Sequence, residues 1–158
     1  MEVILLNSSI LLSVLGISLL TDTLVHFLFF ISVFCPMRMM AGGYHAKTPG
    51  KCFLFSNGLY ITSIIIRYLL LDKKMAVLWL ALGILSIIVI FITGPLERKG
   101  INVPEHIHNR HKKKLDELLL LDLILLLVLY ILYNRYLDSV VLAILFAGLS
   151  QKAKIVMC

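Results

Sequence analysis

The chain has 158 residues, of which 60% are hydrophobic and only 15% are charged, and its mean hydropathy is +0.98. A soluble domain of this length has too little interior for so much apolar surface, so the composition excludes an ordinary soluble enzyme and indicates an integral membrane protein. The net charge of +6 does not indicate a nucleic-acid-binding protein, because basic patches interleaved with aromatic residues are absent.

Six apolar segments follow one another along the chain, and each is predicted to form a helix. A membrane-spanning helix needs about 20 residues, and long apolar runs without alternation favour helices over the strands of a barrel. The second segment contains His26, Cys35 and Pro36, and the sixth is short unless it continues towards Lys152. The sequence therefore predicts one all-α domain over residues 1–158, a polytopic membrane protein with about six transmembrane helices. The predicted segments are Val3–Leu20, Leu24–Met40, Phe53–Leu71, Met75–Thr93, Leu115–Tyr133 and Tyr136–Leu149.

The connections between the segments predict how the chain is oriented in the membrane. "TDT" (21–23), "DKK" (72–74) and "NR" (134–135) are short enough for tight hairpins, whereas the links 41–52 and 94–114 are long. Placing both termini and both long links on one side gives that side eleven basic residues, against three on the other. The positive-inside rule then places the termini and the long links in the cytoplasm. The eleven are Arg38, Lys47, Lys51, Arg98, Lys99, Arg110, Lys112, Lys113, Lys114, Lys152 and Lys154; the three are Lys73, Lys74 and Arg135.

The first long link contains a histidine and a cysteine that are candidates for catalysis. His45 and Cys52 are seven residues apart, and on one continuous helix they would be separated by about 10 Å along the axis. Pro49 and Gly50 suit the two central positions of a type II turn. We therefore expect the chain to reverse at these two residues and to bring the imidazole within reach of the thiol.

Cys52 is expected to act as the nucleophile of a cysteine hydrolase. It lies where the third predicted helix begins, and both the positive end of the helix dipole and the neighbouring Lys51 favour the thiolate. His45 can accept and return a proton near neutral pH. Gly42 and Gly43 permit close approach of a substrate chain, and their amides can donate hydrogen bonds to an oxyanion. The link therefore predicts a hydrolase acting on a peptide at the cytoplasmic membrane surface.

Three further charged residues lie within the apolar segments. Arg67 and Asp138 are both near the predicted outer ends of their segments, so we expect them to pair. Asp122 lies about 10 Å from the inner edge, counted over seven residues from Leu115. Packing or ion pairing is the favoured interpretation of Asp122, and the alternative is that it orients His45 as a third catalytic member.

Simpler structural roles are expected for three other residues. The three cysteines of the chain show no paired spacing, so a disulfide framework is not expected. Cys35 and Cys158 are instead interpreted as small buried hydrophobic side chains. His26 is expected to be a packed or interfacial histidine.

The second long link, 94–114, is strongly basic, with six Lys or Arg residues within 17 positions. Such a segment attracts anionic lipid headgroups by about 1 kcal/mol per basic residue, and we interpret it as a solvated loop. Lys112, Lys113 and Lys114 are further candidates for binding an acidic tail of a precursor peptide. The histidine pattern over 106–111 lacks the cysteines or acidic second shell that support a metal site. No metal and no cofactor are therefore expected.

The motif R-x4-G-x-H-A-x5-C, formed by Arg38, Gly43, His45, Ala46 and Cys52, resembles the signature of the AgrB-like family. Members of that family are integral membrane cysteine endopeptidases of Gram-positive quorum sensing. The resemblance also covers the six-segment layout and the basic second link. It implies that His45 and Cys52 form the catalytic pair and that Arg38 and Gly43 support activity.

The same resemblance implies the substrate and the product. An AgrD-like precursor signalling peptide would be cleaved through an acyl-thioester on Cys52, and capture by its internal cysteine or serine would give a cyclic thiolactone or lactone. Anionic lipid headgroups and a second copy of the chain, as a homodimer, are the other expected partners; nucleic acid is not. The chain departs from the family in its start: members usually carry a longer polar leader, whereas here the apolar run begins at Val3.

Two alternatives belong to other functional classes. A small membrane transporter or exporter component would use Arg67, Asp122 and Asp138 to line a path, although the sequence shows no inverted repeat or pair of broken helices. In a non-catalytic membrane scaffold, His45 and Cys52 would be incidental.

Overall fold

The computed structural model describes the backbone of residues 2–41, 49–70, 75–95, 105–132 and 136–157, and the side chains of residues 8–41, 50, 53–69, 75–95, 109–132 and 136–151. Within these ranges the chain forms six α-helices, which confirms the all-α class. They are α1 (Glu2–Leu20), α2 (Leu24–Ala41), α3 (Pro49–Leu70), α4 (Ala76–Thr93), α5 (Glu105–Leu132) and α6 (Leu137–Met157).

The helices follow the apolar segments closely, but three of their ends lie elsewhere. α3 begins at Pro49 instead of Phe53, α5 begins at Glu105 instead of Leu115, and α6 continues to Met157. Apolar composition marks where a helix can enter lipid, whereas hydrogen bonding along the backbone continues as long as the residues tolerate helix. The interpretation of the whole second link as a loop is therefore wrong, because its last ten residues belong to α5.

The first hairpin confirms the tight "TDT" connection. Asp22 has a φ of 55°, a left-handed conformation that Asp and Asn adopt more readily than most residues. The amide of Thr23 donates to the carbonyl of Ser18 at 2.8 Å, which is the six-residue closure that commonly ends a helix. The next helix begins at once, since the amide of Phe27 donates to the carbonyl of Thr23 at 2.9 Å.

The predicted type II turn at Pro49 and Gly50 is wrong. Both residues lie in the first turn of α3. Proline suits the first position of a helix, because its missing N–H would have had no partner within the helix and its φ is already helical. Pro49 therefore starts the third helix instead of reversing the chain. The preceding residues 42–48, with Gly42, Gly43 and His45, lie outside the described part of the chain.

α6 is the central helix of the bundle. It packs mainly against α2 and α4 and also contacts α3 and α5, while α1 packs against α2 and α3. From Leu137 to Ala147 every side chain of α6 is buried except that of Leu145, which is half-buried. The segment that seemed short by composition is thus the one around which the others assemble.

The outward faces of the other helices are apolar as well. Large apolar side chains are half or more exposed on α4 and α5, among them Val77, Ile92, Leu120 and Ile131. A helix that is hydrophobic all round is suited to lipid. Among the described residues, Leu24–Ala41 and Ala76–Thr93 are long and apolar enough to cross a membrane, and shorter apolar helices cover Ser8–Leu20, Phe53–Leu69 and Leu137–Gln151.

Arg67 and Asp138 form the predicted ion pair between α3 and α6. The Arg67 Nη1 atom donates to both carboxylate oxygens of Asp138, at 3.0 and 2.9 Å, and to the hydroxyl oxygen of Ser139 at 3.1 Å. The guanidinium carbon also lies 5.5 Å from the centre of the Tyr136 ring. Both charged side chains are buried, so each neutralises a charge that would otherwise be costly away from water.

The ion pair also continues into hydrogen bonds of His26, which is fully buried as a packed histidine, and these bonds suit a neutral ring that carries its proton on Nε2. Because Arg67 can only donate, the hydroxyl proton of Ser139 is available for the Nδ1 atom of His26, 2.6 Å away. The Nε2 atom then carries the ring proton and donates to the hydroxyl oxygen of Ser63 at 3.0 Å. Ser63 in turn donates to the carbonyl of Tyr60 at 2.6 Å. A directed chain of hydrogen bonds therefore joins α2, α3 and α6.

Replacing Arg67 with Met is expected to lower the free energy of unfolding by about 3–5 kcal/mol, because the Asp138 carboxylate would stay buried without its counter-ion. The double variant Arg67→Met with Asp138→Leu is expected to be more stable than the single variant, since it leaves no uncompensated charge. Equilibrium unfolding in detergent micelles measures both. A double variant as unstable as Arg67→Met would contradict this interpretation.

Gly83 lets α4 approach its neighbours closely. A Cβ atom at this position would lie 2.9 Å from Cδ1 of Leu126 on α5 and 3.1 Å from Cγ2 of Val141 on α6. Gly83→Leu is therefore expected to destabilise the bundle by about 1–3 kcal/mol through overpacking. Gly58→Leu on α3 is the matched control, because nothing lies within 4 Å of its Cβ position. Thermal unfolding in detergent should show a lowered midpoint for the first variant and little change for the second.

Candidate active site

Arg38 connects the end of α2 to the beginning of α3. It lies in the last turn of α2, and its Nη1 atom donates to the hydroxyl oxygen of Ser56 on α3 at 3.0 Å. The guanidinium carbon lies 5.8 Å from the centre of the Phe34 ring, one turn earlier on α2. Ser56 is buried. A permanent positive charge is thus held between the two helices that flank the first long link.

Cys52 lies in the first turn of α3, as predicted from the start of the apolar run. It is the fourth residue of a helix that begins at Pro49, where the helix dipole presents its positive end. The side chains of Cys52 and Lys51 lie outside the described part of the structure. Positions 52 and 56 nevertheless lie on the same face of α3, because residues four apart on a helix are about one turn apart.

The remaining predicted residues of the first link are bracketed by the two helices. Gly42, Gly43 and His45 follow Ala41, the last residue of α2, and precede Pro49, the first residue of α3. They lie outside the described residues. The approach of the His45 imidazole to the Cys52 thiol therefore stays a prediction.

Gln151 is a buried residue that the sequence interpretation missed. Its Nε2 atom donates to the carbonyl of Ala41 at 3.4 Å and to the carbonyl of Gly94. Gly94 follows the end of α4 with a φ of 66°, a conformation that glycine adopts without strain. The Gln151 side chain, from α6, thus donates to backbone carbonyls that have no partner within α2 and α4. No signal for these contacts was present in the sequence, because the side chain of Gln151 is neutral and its neighbours are known only from the structure.

Both long links therefore start from one place in the structure. The first follows Ala41 and the second follows Gly94, and Gln151 joins these two residues. A conformational change at the end of α4 would have to break or carry along a hydrogen bond to the end of α2.

The lysines of the second link lie on a helix and not on a loop. Arg110, His111, Lys112, Lys113 and Lys114 are all exposed, and the next residue, Leu115, is completely buried. α5 has 28 residues and is about 42 Å long, which exceeds the hydrocarbon thickness of about 30 Å. Residues 110–114, the basic segment, thus project from the apolar part of α5. The side chains of His106 and His108 lie outside the described residues.

Asp122 is buried on the face of α5 that also carries Leu119 and Leu126. Its Oδ2 atom has no hydrogen-bond partner among the described residues. The packed position agrees with the structural interpretation of Asp122, whereas its role as a third catalytic member stays a prediction. Cys35 is exposed, so its predicted burial is wrong: it lies on α2 between the buried residues Phe34 and Met37 but on the outward face. Cys158 lies outside the described residues.

Comparison with known families decides the class of the protein. The family model described as "AgrB: Accessory gene regulator B" matches residues 1–151. The chain belongs to the AgrB family. The predicted resemblance to this family is thereby confirmed, because the match covers nearly the whole chain. No curated protein and no solved structure matches this sequence.

Family membership establishes the general activity. AgrB proteins are membrane proteases that process autoinducing peptides in quorum sensing, and their substrate is an AgrD-like propeptide. The exposed apolar faces of α4 and α5 agree with a membrane location. This AgrB-family chain presents two features at one end of its bundle, namely the Arg38–Ser56 contact beside the start of α3 and the Gln151 contacts beside the start of both links.

Proposed function

We propose that this AgrB-family protein cleaves an AgrD-like propeptide through a covalent thioester on Cys52 and promotes cyclisation of the released segment. The observation that carries the proposal is the position of Cys52 in the first turn of α3, with the Arg38 guanidinium bound four residues further along the same helix. The helix dipole and the guanidinium both stabilise negative charge at this point.

The first half of the reaction uses His45 as base and then as acid. The imidazole takes the thiol proton, and the thiolate attacks the scissile carbonyl carbon to form a C–S bond while the oxygen becomes negative. The tetrahedral intermediate collapses, the C–N bond breaks, and the imidazolium returns the proton to the leaving amine. The amino-terminal part of the propeptide is then held as an acyl-thioester on Cys52.

The second half of the reaction closes the ring. An internal thiol or hydroxyl of the propeptide attacks the thioester carbonyl, its proton passes through His45 to the departing Cys52 sulfur, and a thiolactone or lactone results. Exchange of one thioester for another is nearly isoenergetic, so the acyl-enzyme keeps the energy needed for closure. Water must be excluded while this happens, and a site at the edge of the bilayer favours that. The amides of Gly42 and Gly43 are the proposed oxyanion donors.

The proposed topology has six transmembrane helices with both termini and both long links in the cytoplasm. In a chain that crosses the membrane six times, the second, fourth and sixth helices all end on the same side. The contacts of Gln151 support this topology, because they bring the ends of α2, α4 and α6 together. The ion pair between Arg67 and Asp138 joins the end of α3 to the start of α6, at the end of the bundle opposite to Gln151. The excess of basic residues in the long links supports the cytoplasmic location of those links.

The basic segment is proposed to bind the acidic tail of the propeptide. Lys112, Lys113 and Lys114 are exposed and directly precede the buried Leu115, so their charges lie where a peptide on the membrane surface would pass. Anionic lipid headgroups would be attracted by the same charges.

The transporter alternative is not favoured by these contacts. It needs Arg67, Asp122 and Asp138 to line one path, but Arg67 and Asp138 neutralise each other within a buried pair. A charge that is already paired offers little to a passing solute.

Substituting either member of the proposed catalytic pair is expected to abolish processing. Co-expressed with AgrD-like propeptides, Cys52→Ala and His45→Ala should yield no cleaved fragment at normal membrane levels, and Cys52→Ser should be slower by about 10³-fold or more. Immunoblotting of the propeptide and of the membrane fraction measures both quantities. Cys35→Ala, which alters an exposed cysteine of α2, is the matched control and should cleave normally. Cleavage that survives Cys52→Ala at normal membrane levels would contradict the assignment of Cys52 as the nucleophile.

Reversing the charge of Lys112, Lys113 and Lys114 to Glu is expected to slow cleavage by about tenfold or more at low propeptide concentration, because the acidic tail would be repelled. The effect should shrink as ionic strength rises. Reversal of Lys73 and Lys74, in the predicted link on the other side of the membrane, should leave the rate unchanged. Unaltered kinetics with normal membrane insertion would remove the basic segment from the proposal.

A further inference from the structure

Ser56 is a buried hydroxyl that neither the motif nor the family match assigns. It lies on α3 and accepts a hydrogen bond from Nη1 of Arg38 at 3.0 Å. Only 7% of its surface is exposed, so the contact lies between helices and not at a freely hydrated surface. The Phe34 ring, 5.8 Å from the guanidinium carbon, bounds the same group from α2. Two helices therefore determine where this guanidinium lies.

The register of α3 relates this guanidinium to the nucleophile. Ser56 follows Cys52 by four residues, so the two positions share one face and are separated by about 6 Å along the helix axis. A guanidinium bound at position 56 is consequently held about one turn from position 52. The bond to Ser56 restricts the four rotatable bonds of the arginine from the α3 side.

A guanidinium in this place has a chemical use in the proposed reaction. It carries five N–H donors in a rigid plane and keeps its charge throughout. Ser56 accepts from one nitrogen, and the planar fork can present other donors to a second acceptor. The acceptor that gains charge when the Cys52 thiolate attacks is the oxygen of the scissile carbonyl.

We propose that Ser56 is a positioning residue for peptide cleavage: it holds the Arg38 guanidinium on the Cys52 face of α3, where the guanidinium donates a hydrogen bond to the scissile carbonyl as its oxygen becomes negative. In this step the C–S bond forms, the carbonyl electron pair moves to oxygen, and the guanidinium keeps its protons. The charge is lost again when the C–N bond breaks and His45 protonates the amine. The inference rests on the proposed function of Cys52.

A double-mutant cycle separates positioning from a general contribution to stability. The full chain is reconstituted in liposomes with an AgrD-like propeptide that the unmodified protein cleaves. Ser56→Ala is expected to lower kcat by about tenfold, in the range of one lost charged hydrogen bond, with KM changed by less than about twofold. Ser56→Thr, which keeps the hydroxyl oxygen, should restore most of kcat.

The cycle is completed in the Arg38→Ala background. There Ser56→Ala is expected to cause no further loss, because the hydroxyl acts only through the missing guanidinium. Equal losses from Ser56→Ala with and without Arg38 would overturn the inference, as would a Thr variant no better than Ala.

A matched control and a separate variant make the outcomes distinguishable. Ser13→Ala removes a different hydrogen bond to α3, which Ser13 donates to the Oδ1 atom of Asn57 at 2.7 Å. Asn57 is the residue next to Ser56 in the sequence. The Ser13→Ala variant should leave kcat unchanged, and a loss equal to that of Ser56→Ala would also overturn the inference. Cys52→Ala in the same assay tests the proposed function by itself. If this variant still cleaves the propeptide, both the role of Cys52 and the role of Ser56 are contradicted. If it does not cleave but the effects of Arg38→Ala and Ser56→Ala are additive, only the role of Ser56 is contradicted.

Discussion

The packing of α6 between its neighbours is the constraint on which the rest of the bundle depends. From Leu137 to Ala147 its side chains are buried except that of Leu145, so its buried polar groups need hydrogen-bond partners. Asp138, Ser139 and Gln151 find them on other helices. At one end Asp138 and Ser139 bind Arg67 and His26. At the other end Gln151 binds the carbonyls of Ala41 and Gly94. Polar contacts at both ends thus fix the rotation and depth of a helix that apolar packing alone would leave free to slide.

This arrangement explains how a small membrane protein can hold its helices in defined positions. Between helices in a bilayer the hydrophobic effect adds little, so position is decided by shape and by hydrogen bonds. α2 is held by His26 near its start and by Arg38 and Ala41 near its end. α3 is held by Arg67 and Ser56. The two helices that flank the proposed His45–Cys52 pair are therefore each fixed at two levels, and the link between them inherits defined end points.

Particular residues show how far sequence interpretation reached. The depth of Arg67 and Asp138 within their apolar runs was enough to predict their pairing, because an unpaired charge there would be costly. Gln151 and Ser56 were missed, since a neutral polar residue gives no comparable energetic signal until its neighbours are known. Pro49 and Gly50 were assigned to the wrong structure, because the same dipeptide suits both a turn and the start of a helix. The predicted role of Asp122 beside His45 and the catalytic pair itself remain predictions.

The sequence by itself determined the all-α class, the approximate limits of six helices, the family and the candidate nucleophile. These follow from local properties, namely apolar runs that demand internal hydrogen bonding in lipid and a motif within fifteen residues of chain. Only the tertiary structure decided which helix is central and that α5 carries its lysines on a helical extension. It also decided that Ser56 contacts Arg38 and that Gln151 contacts the ends of α2 and α4. Those facts depend on how each helix is rotated about its axis, and helices that are apolar on every side carry little record of that rotation in their sequence.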